Sequence, residues 1–149
     1  MTIALGADHA GFDLKEALRL ELEKMGQHAI DLGCTNRDPS DYPDHARRVC
    51  RSVVEAGADL GILICGTGIG MSIAANRYSG IRAALCLNCE MAYLARSHNN
   101  ANVLALGSRY VSLLDARAIL QVFLGTRFSN ESRHVHRIEK LAGRSHEAD

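Results

Sequence analysis

A cysteine at the end of an apolar run is the first residue of this sequence whose position suggests chemistry. The segment LGILICGTGIGM, residues 60–71, is apolar up to Cys65 and then alternates three glycines with Thr67 and Ile69. Glycines let a ligand approach the backbone closely, and loop N–H groups beside a helix start suit a developing oxyanion. A thiol in such a setting can have a pKa well below its usual value. The segment therefore favours a base or nucleophile that faces oxyanion donors.

Two other interpretations of this glycine loop are weaker but stay open. A dinucleotide fingerprint requires G-x-G-x-x-G, whereas here Gly66, Gly68 and Gly70 alternate and Met71 occupies the third required position. No Gly-Lys-Ser/Thr follows, so the Walker phosphate-binding pattern is absent. A tight strand-to-helix turn would explain one or two glycines, but not three.

The other cysteines raise the question of redox or metal chemistry. Cys86 and Cys89 have the C-x-x-C spacing of a thioredoxin-type pair, but the surrounding pattern does not match that fold. A zinc site would need two more ligands at a regular spacing. Five cysteines in all indicate free thiols and no disulfide framework. We interpret Cys50 as a core residue, we expect no metal site, and thiol redox chemistry remains the alternative.

Composition excludes several function classes. The 149 residues carry a net charge of zero, which argues against a nucleic-acid or membrane surface. No apolar run reaches the ~20 residues needed to span a bilayer, and the N-terminus lacks the features of a signal peptide. We therefore expect a single cytoplasmic domain over residues 1–149, with a frayed tail at residues 143–149.

Short apolar runs alternate with amphipathic stretches along the whole chain. The pattern predicts strands over residues 2–7, 28–33, 60–64, 81–85 and 102–106. It predicts helices over residues 13–26, 41–57, 113–124 and 130–142, together with one helix that begins at about residue 69 and one that ends at about residue 98. The expected inner faces are Leu14, Ala17, Leu18, Leu22 and Met25 in the first helix, and Ala46, Val49, Cys50, Val53 and Val54 in the second. Ser112 with Asp115 predicts a capping box.

This alternation predicts an α/β fold with a parallel sheet covered on both faces. Of the common doubly wound orders, five strands favour 2-1-3-4-5. Ligands bind such sheets beyond the carboxyl ends of the strands where the order reverses, here between the first and third strands. We therefore expect Asp8 and His9 to face Cys65 and Thr67 across one crevice.

Three further groups of polar residues have both a structural and a functional interpretation. Asp8 and His9 could cap the first helix, and His98 could be a simple helix C-cap. Arg133 and Arg137 are one helical turn apart. They form either a solvated basic face or a pair of guanidinium forks for a phosphate.

Five separated segments resemble one known family over nearly the whole chain. They are GADHAGFDLK (6–15) with Asp41-Tyr42-Pro43, GILICGTGIGMSIAANR (61–77), GIRAAL (80–85), ARSHNNANVLALGSR (95–109) and the pair Arg133/Arg137. In these segments the sequence resembles the ribose-5-phosphate isomerase B family, the group that also contains galactose-6-phosphate and allose-6-phosphate isomerases.

The resemblance implies a three-layer Rossmann-like α/β/α sandwich that forms homodimers or homotetramers with shared active sites. It implies an aldose–ketose isomerase that needs no metal or cofactor and interconverts ribose 5-phosphate and ribulose 5-phosphate. Allose 6-phosphate, galactose 6-phosphate and tetrose phosphates remain alternative substrates. A family branch with a glutamate further along the loop helix is excluded, because that helix here reads Met-Ser-Ile-Ala-Ala.

The resemblance also implies a role for individual residues. Cys65 resembles the base that moves a proton between C1 and C2 through a cis-enediolate, His98 resembles the group that opens the sugar ring, and Thr67 lies beside the reacting carbons. The remaining implied contacts are with the sugar, the enediolate and the phosphate. Some of them come from a partner subunit, and Arg109 is one candidate for such a contribution. The residues implied in these contacts are Asp8, His9, Tyr42, Gly66, Gly68, Ile69, Gly70, Asn99, Arg109, Arg133 and Arg137.

Overall fold

The computed structural model describes residues 1–143, and residues 144–149 of the predicted frayed tail lie outside them. Every predicted strand and helix is present, with ends displaced by a few residues, and Ser112 caps its helix as expected. The strands are β1 (Thr2–Ala7), β2 (His28–Asp31), β3 (Leu60–Cys65), β4 (Ala83–Leu85) and β5 (Val103–Gly107). The helices are α1 (Phe12–Lys24), α2 (Tyr42–Val54), α3 (Ile69–Ala75), α4 (Cys89–Asn99), α5 (Leu113–Gly125) and α6 (Ser132–Leu141), and one 3-10 turn covers His9–Gly11.

The five strands form one parallel sheet in the order β2-β1-β3-β5-β4. The predicted order is right for the first three strands and wrong for the last two, because β5 lies between β3 and β4. β5 is buried along its whole length, whereas β4 has only three residues and is half-buried. A short, partly exposed strand suits the edge of a sheet, and a continuously apolar strand suits its interior.

Helices cover both faces of the sheet and give the expected three-layer α/β/α sandwich. Alternate residues of β1 and β3 divide between two hydrophobic clusters. Leu18, Leu22 and Phe123 bring α1 and α5 onto one face, while Val49 and Met71 bring α2 and α3 onto the other. The predicted inner face of α2 is correct except at its last position: Val54 is exposed, since it lies in the helix's final turn.

Lys15 lies on the buried face of α1, a placement that the hydrophobic pattern did not predict. Its ammonium pairs with Asp31 at the end of β2 and with Glu16 at 2.7 Å. Burial alone lowers the pKa of Lys15, but the hydrogen bonds to Asp31 and Glu16 outweigh that effect and the net pKa is raised. A buried lysine is tolerated only when it is paired in this way, and the pair joins α1 to the sheet.

Burial also raises the pKa of the Cys50 thiol on α2, to about 11. In the unfolded chain the thiol ionises near pH ~8.5, so between these two values the folded state holds a proton that the unfolded state loses. Stability from this group is therefore fully present below pH ~8.5 and is lost as the pH rises towards 11.

We predict that Cys50→Ala weakens the dependence of stability on alkaline pH. Because the folded state keeps this proton, the free energy of unfolding of the wild type falls by about 2 kcal/mol when the pH rises from 7 to 10. Val49→Ala, on the same helix, is the matched control, because it leaves a cavity but keeps the thiol. Urea unfolding at both pH values measures the difference, and an equal pH-dependent loss in the two variants would contradict the assignment.

Candidate active site

Three strands end beside one another at the carboxyl edge of the sheet, and each end carries candidate site residues. β1 and β3 are neighbours as predicted, so the loop at Asp8 lies beside the glycine loop, Cys65–Gly70. The N–H of Asp8 donates to Ile64 O at 3.3 Å, and Ser108 Oγ, after β5, donates to Ala10 O at 2.8 Å. These bonds hold the three loops together.

Cys65 is the last residue of β3, and its thiol lies under the glycine loop. The N–H of Gly68 donates to Cys65 Sγ at 3.2 Å. This contact depends on the left-handed conformation of Gly68, whose φ is +75° and where a Cβ would lie 2.5 Å from Leu85 Cδ1. The loop therefore fixes the position of the thiol and places a backbone N–H donor against its sulfur atom.

The glycine loop also offers backbone donors. Ile69 N–H bonds to Thr67 Oγ1 at 3.2 Å. Within residues 1–143, the N–H groups of Gly66, Thr67 and Gly70 have no hydrogen-bond partner. Unpaired backbone donors beside a thiol are the components that stabilise an oxyanion formed by proton removal next to a carbonyl.

Two large side chains lie directly against this loop because glycine leaves room for them. A Cβ on Gly70 would lie 2.7 Å from Tyr42 Cζ, and one on Gly66 would lie 3.0 Å from Arg109 Cζ. Arg109, which the resemblance gives as a candidate for a partner's contribution, lies against Gly66 of its own chain. It does so because β5, whose end it follows, is adjacent to β3.

Asp8 and His9 follow β1 at the same edge. Asp8 is buried, and its Oδ1 accepts from the N–H groups of Ala10 and Gly11 at 3.0 and 3.1 Å, so it caps the 3-10 turn. His9 is exposed, and its Nδ1 accepts from the N–H of Ser40 at 3.2 Å. Asp8 thus caps the 3-10 turn that precedes α1 and not α1 itself, whose N-cap residue is Gly11. Ligand contacts of Asp8 and His9 stay predictions.

A second group of candidate residues lies at the opposite edge of the sheet. α4 begins after the carboxyl end of β4 and ends at His98 and Asn99, just before the amino end of β5. There Val103 pairs with Gly61, four residues before Cys65, which is roughly 13 Å along the strand. Within one chain, the fold therefore keeps His98 and Asn99 apart from Cys65.

His98 is stacked on a second histidine and is not the cap of its helix. The rings of His98 and His134 are 4.2 Å apart and 16° from parallel, whereas the C-cap is Asn100 at φ 44°. Burial lowers the pKa of His134, and the charges of His98, Arg133 and Arg137 lower it further. Arg133 and Arg137 themselves are exposed on α6, and Arg133 pairs with Glu131 at 2.9 Å.

Sequence reasoning missed three polar residues that support these groups: Lys15, His45 and His134. All are buried, and each has a partner on another element or loop: Asp31 for Lys15, Ser40 for His45 and His98 for His134. Only His134 had a usable signal, since it lies between the two predicted phosphate-binding arginines.

The alternative chemistries receive no structural support. Burial raises the pKa of the Cys86 thiol to about 12, which is opposite to the depressed pKa of a reactive redox pair. Among residues 1–143, no three histidine, cysteine or acidic side chains cluster as metal ligands would. In the same range, every helix is too short or too polar to cross a bilayer.

A thiol and free loop amides at the carboxyl edge of a parallel sheet are typical of an α/β enzyme that acts on a small polar molecule. The profile of the family described as Ribose/Galactose Isomerase matches residues 3–141. This chain belongs to that family.

Individual relatives agree with the family match. Ribose-5-phosphate isomerase B of Escherichia coli (strain K12) is 45% identical over 139 residues, 93% of each chain. Solved structures of ribose-5-phosphate isomerase B from Clostridium thermocellum and Thermotoga maritima superpose with TM-scores of 0.94 and 0.93, at 44% and 50% identity. The first alignment covers 96% of both chains, and the second covers 95% of this chain and 97% of the other.

We predict that Gly107→Ala strongly destabilises the protein, whereas Gly66→Ala does not. A Cβ on Gly107 would lie 2.5 Å from the backbone oxygen of Thr67, and the main chain of Gly107 is held in the sheet by its pairing with Cys65. Overpacking of this kind costs about 1–3 kcal/mol. A Cβ on Gly66 meets only the flexible end of Arg109. Thermal unfolding of both variants measures the contrast, and equal midpoints would refute it.

Proposed function

We propose that this chain interconverts ribose 5-phosphate and ribulose 5-phosphate, with Cys65 as the base. The observation that carries the proposal is the juxtaposition of Cys65 Sγ, held by the Gly68 N–H, with the unpaired amides of the same loop. The activity named for the relatives from Escherichia coli, Clostridium thermocellum and Thermotoga maritima supports it. A cytoplasmic location stays a prediction.

The reaction moves one proton between adjacent carbons, and one base can perform both halves. The Cys65 thiolate removes the proton from the carbon next to the carbonyl and leaves a cis-enediolate. Amides of Gly66, Thr67 and Gly70 stabilise the enediolate oxygens, and each such donor is worth roughly 3 kcal/mol in comparable sites. The hydroxyl proton passes from one enediolate oxygen to the other, and the thiol returns the first proton to the neighbouring carbon, which completes the exchange of aldose and ketose.

The cyclic sugar must open before this step, and we assign ring opening to His98 of a second copy of the chain. A general acid–base group has to reach the ring oxygen, but the fold holds His98 at the other edge of its own sheet. The stack on His134 fixes the plane of its ring. In a two-fold symmetric dimer, the carboxyl edge of each copy would face the amino edge of the other, so that two identical sites are completed.

The arginines divide in the same way. Arg109 lies beside the glycine loop of its own chain, while Arg133 and Arg137 lie on α6 next to His98. A phosphate bound at such a junction would receive guanidinium groups from both copies. Charge-assisted hydrogen bonds of this kind contribute roughly 1.5–3 kcal/mol each, so they would anchor the substrate while Cys65 acts at its other end.

Within residues 1–143, β4 is an edge strand of the sheet, and this edge supports association of two copies. A groove of about 640 Å³ runs along β4 and is lined by Leu94 of α4 and by Ile138 and Leu141 of α6. The neighbouring large apolar side chains of Leu87, Met91 and Tyr93 are exposed as well. Exposed apolar surface beside an edge strand is typical of an interface. We propose that this surface belongs to the dimer contact.

We predict that Cys65→Ala abolishes isomerisation and leaves the fold intact, because one small buried side chain replaces another. Cys86→Ala/Cys89→Ala is the matched control and should keep near wild-type kcat/KM. The assay follows ketose formation from ribose 5-phosphate, with allose 6-phosphate and a tetrose phosphate as competing substrates.

Three outcomes of that assay would contradict the proposal. They are an active Cys65→Ala variant, an inactive double cysteine variant, and a higher kcat/KM on a six- or four-carbon sugar than on ribose 5-phosphate. Incubation with a chelator should leave the wild type fully active, since the proposed mechanism contains no metal step.

We also predict that two inactive variants restore each other's activity. Cys65→Ala and His98→Asn damage different halves of a shared site, so a mixed dimer contains one intact site and one doubly mutated site. Random pairing after joint refolding should give about one quarter of wild-type activity. If the mixture stays as inactive as its components, while sedimentation shows that mixed dimers form, Cys65 and His98 do not act across a subunit boundary.

A further inference from the structure

The hydrogen bond to His9 determines which of its ring nitrogens carries the proton. Its Nδ1 lies 3.2 Å from the backbone nitrogen of Ser40, and that nitrogen can only donate. In the neutral ring, Nδ1 is therefore the acceptor and Nε2 carries the proton. Because His9 is exposed at the carboxyl edge of the sheet, it offers the Cys65 site an N–H donor without needing a positive charge.

Ser40 is in turn held by a buried histidine. His45 lies in the first turns of α2, and its Nε2 is 3.2 Å from Ser40 Oγ. Only 5% of His45 is exposed, and its Nδ1 has no partner in the described part of the chain. Among residues 1–143, Ser40 is thus the only hydrogen-bond partner of the His45 ring. A buried imidazole nitrogen without a partner lowers stability relative to an apolar side chain at the same position.

The start of α2 lacks the usual alternative means of holding this segment. Asp41 is the N-cap residue, but its side chain makes no capping hydrogen bond. Tyr42, the next residue, lies against Gly70 of the glycine loop. The contact between His45 and Ser40 therefore fixes the segment that bonds to His9 on one side and leads into Tyr42 on the other.

We propose that Ser40 and His45 are positioning residues for His9, which they hold as an Nε2–H donor directed at the substrate. The three residues form a hydrogen-bonded network, the His9–Ser40–His45 network, in which only His9 touches the ligand. This inference rests on the proposed function, since it deepens the role of His9 in binding a sugar phosphate.

A double-mutant cycle tests whether His45 acts through His9. His45→Phe keeps an aromatic ring but loses Nε2, so kcat/KM on ribose 5-phosphate should fall about threefold to tenfold, mainly through KM, as expected for one weakened hydrogen bond. In a His9→Ala background the same substitution should change kcat/KM less than twofold. A residue that acts only through a second residue loses its effect on kcat/KM when that second residue is removed.

Two variants keep the test decisive if His45→Phe folds poorly. His45→Gln retains a polar nitrogen near Ser40 Oγ and should recover at least half of the lost kcat/KM. Ser40→Ala removes only a half-buried hydroxyl and should reproduce the KM effect with an unchanged melting temperature. Cys50→Ala, at a buried position of the same helix, is the control for a general loss of structure. It should change kcat/KM by the same factor in the wild-type and the His9→Ala backgrounds.

Ring nitrogen NMR provides a readout that needs no activity. Long-range ¹H–¹⁵N spectra of the wild type should show His9 with its proton on Nε2, and Ser40→Ala or His45→Phe should shift the Nδ1 resonance. The proposal would be overturned by a proton on Nδ1 of His9 or by an unshifted Nδ1 resonance in both variants. It would also be overturned if His45→Phe lowered kcat/KM by the same factor in the wild-type and the His9→Ala backgrounds. A wild type that isomerises none of the aldose phosphates would refute the proposed function instead, and the spectra would still decide on the network.

Discussion

The close packing of the glycine loop against the end of β5 is the constraint on which the Cys65 site depends. A Cβ on Gly107 would lie 2.5 Å from the Thr67 oxygen, and one on Gly68 would lie 2.8 Å from the Leu106 carbonyl carbon. The loop can cross β5 only because both positions lack a side chain. Its path returns the Gly68 N–H to Cys65 Sγ and leaves other loop amides free to bind an oxyanion.

The order of the last two strands has a direct consequence for this site. Had β4 lain next to β3, the end of β5 and Arg109 would be one strand further from the glycine loop. The sequence contains a signal for the observed order, because NVLAL is apolar after its first residue whereas IRAAL contains an arginine and yields only three strand residues. The number of strands favours the common doubly wound order 2-1-3-4-5, but it carries no information on which of these two runs lies at the edge of the sheet.

Features set by local sequence were predictable, and features set by distant partners were not. The type and chain order of the strands and helices, the glycine spacing and the position of Cys65 follow from residues within a few positions of one another. Lys15 does lie three residues before Leu18 and seven before Leu22, on the buried face of α1. Its ammonium pairs with Glu16 beside it and with Asp31 on another element, and no helical pattern can reveal the second of these partners.

The division of the candidate residues between two edges of the sheet follows from the topology of any βαβ unit. A helix that connects parallel strands starts at the carboxyl edge and ends at the amino edge, so α4 necessarily carries His98 away from the edge where Cys65 lies. No change of side chain can bring these two residues together within one copy. If both serve one reaction, the catalytic unit is larger than the folding unit, and activity must depend on association even though each chain buries its own core.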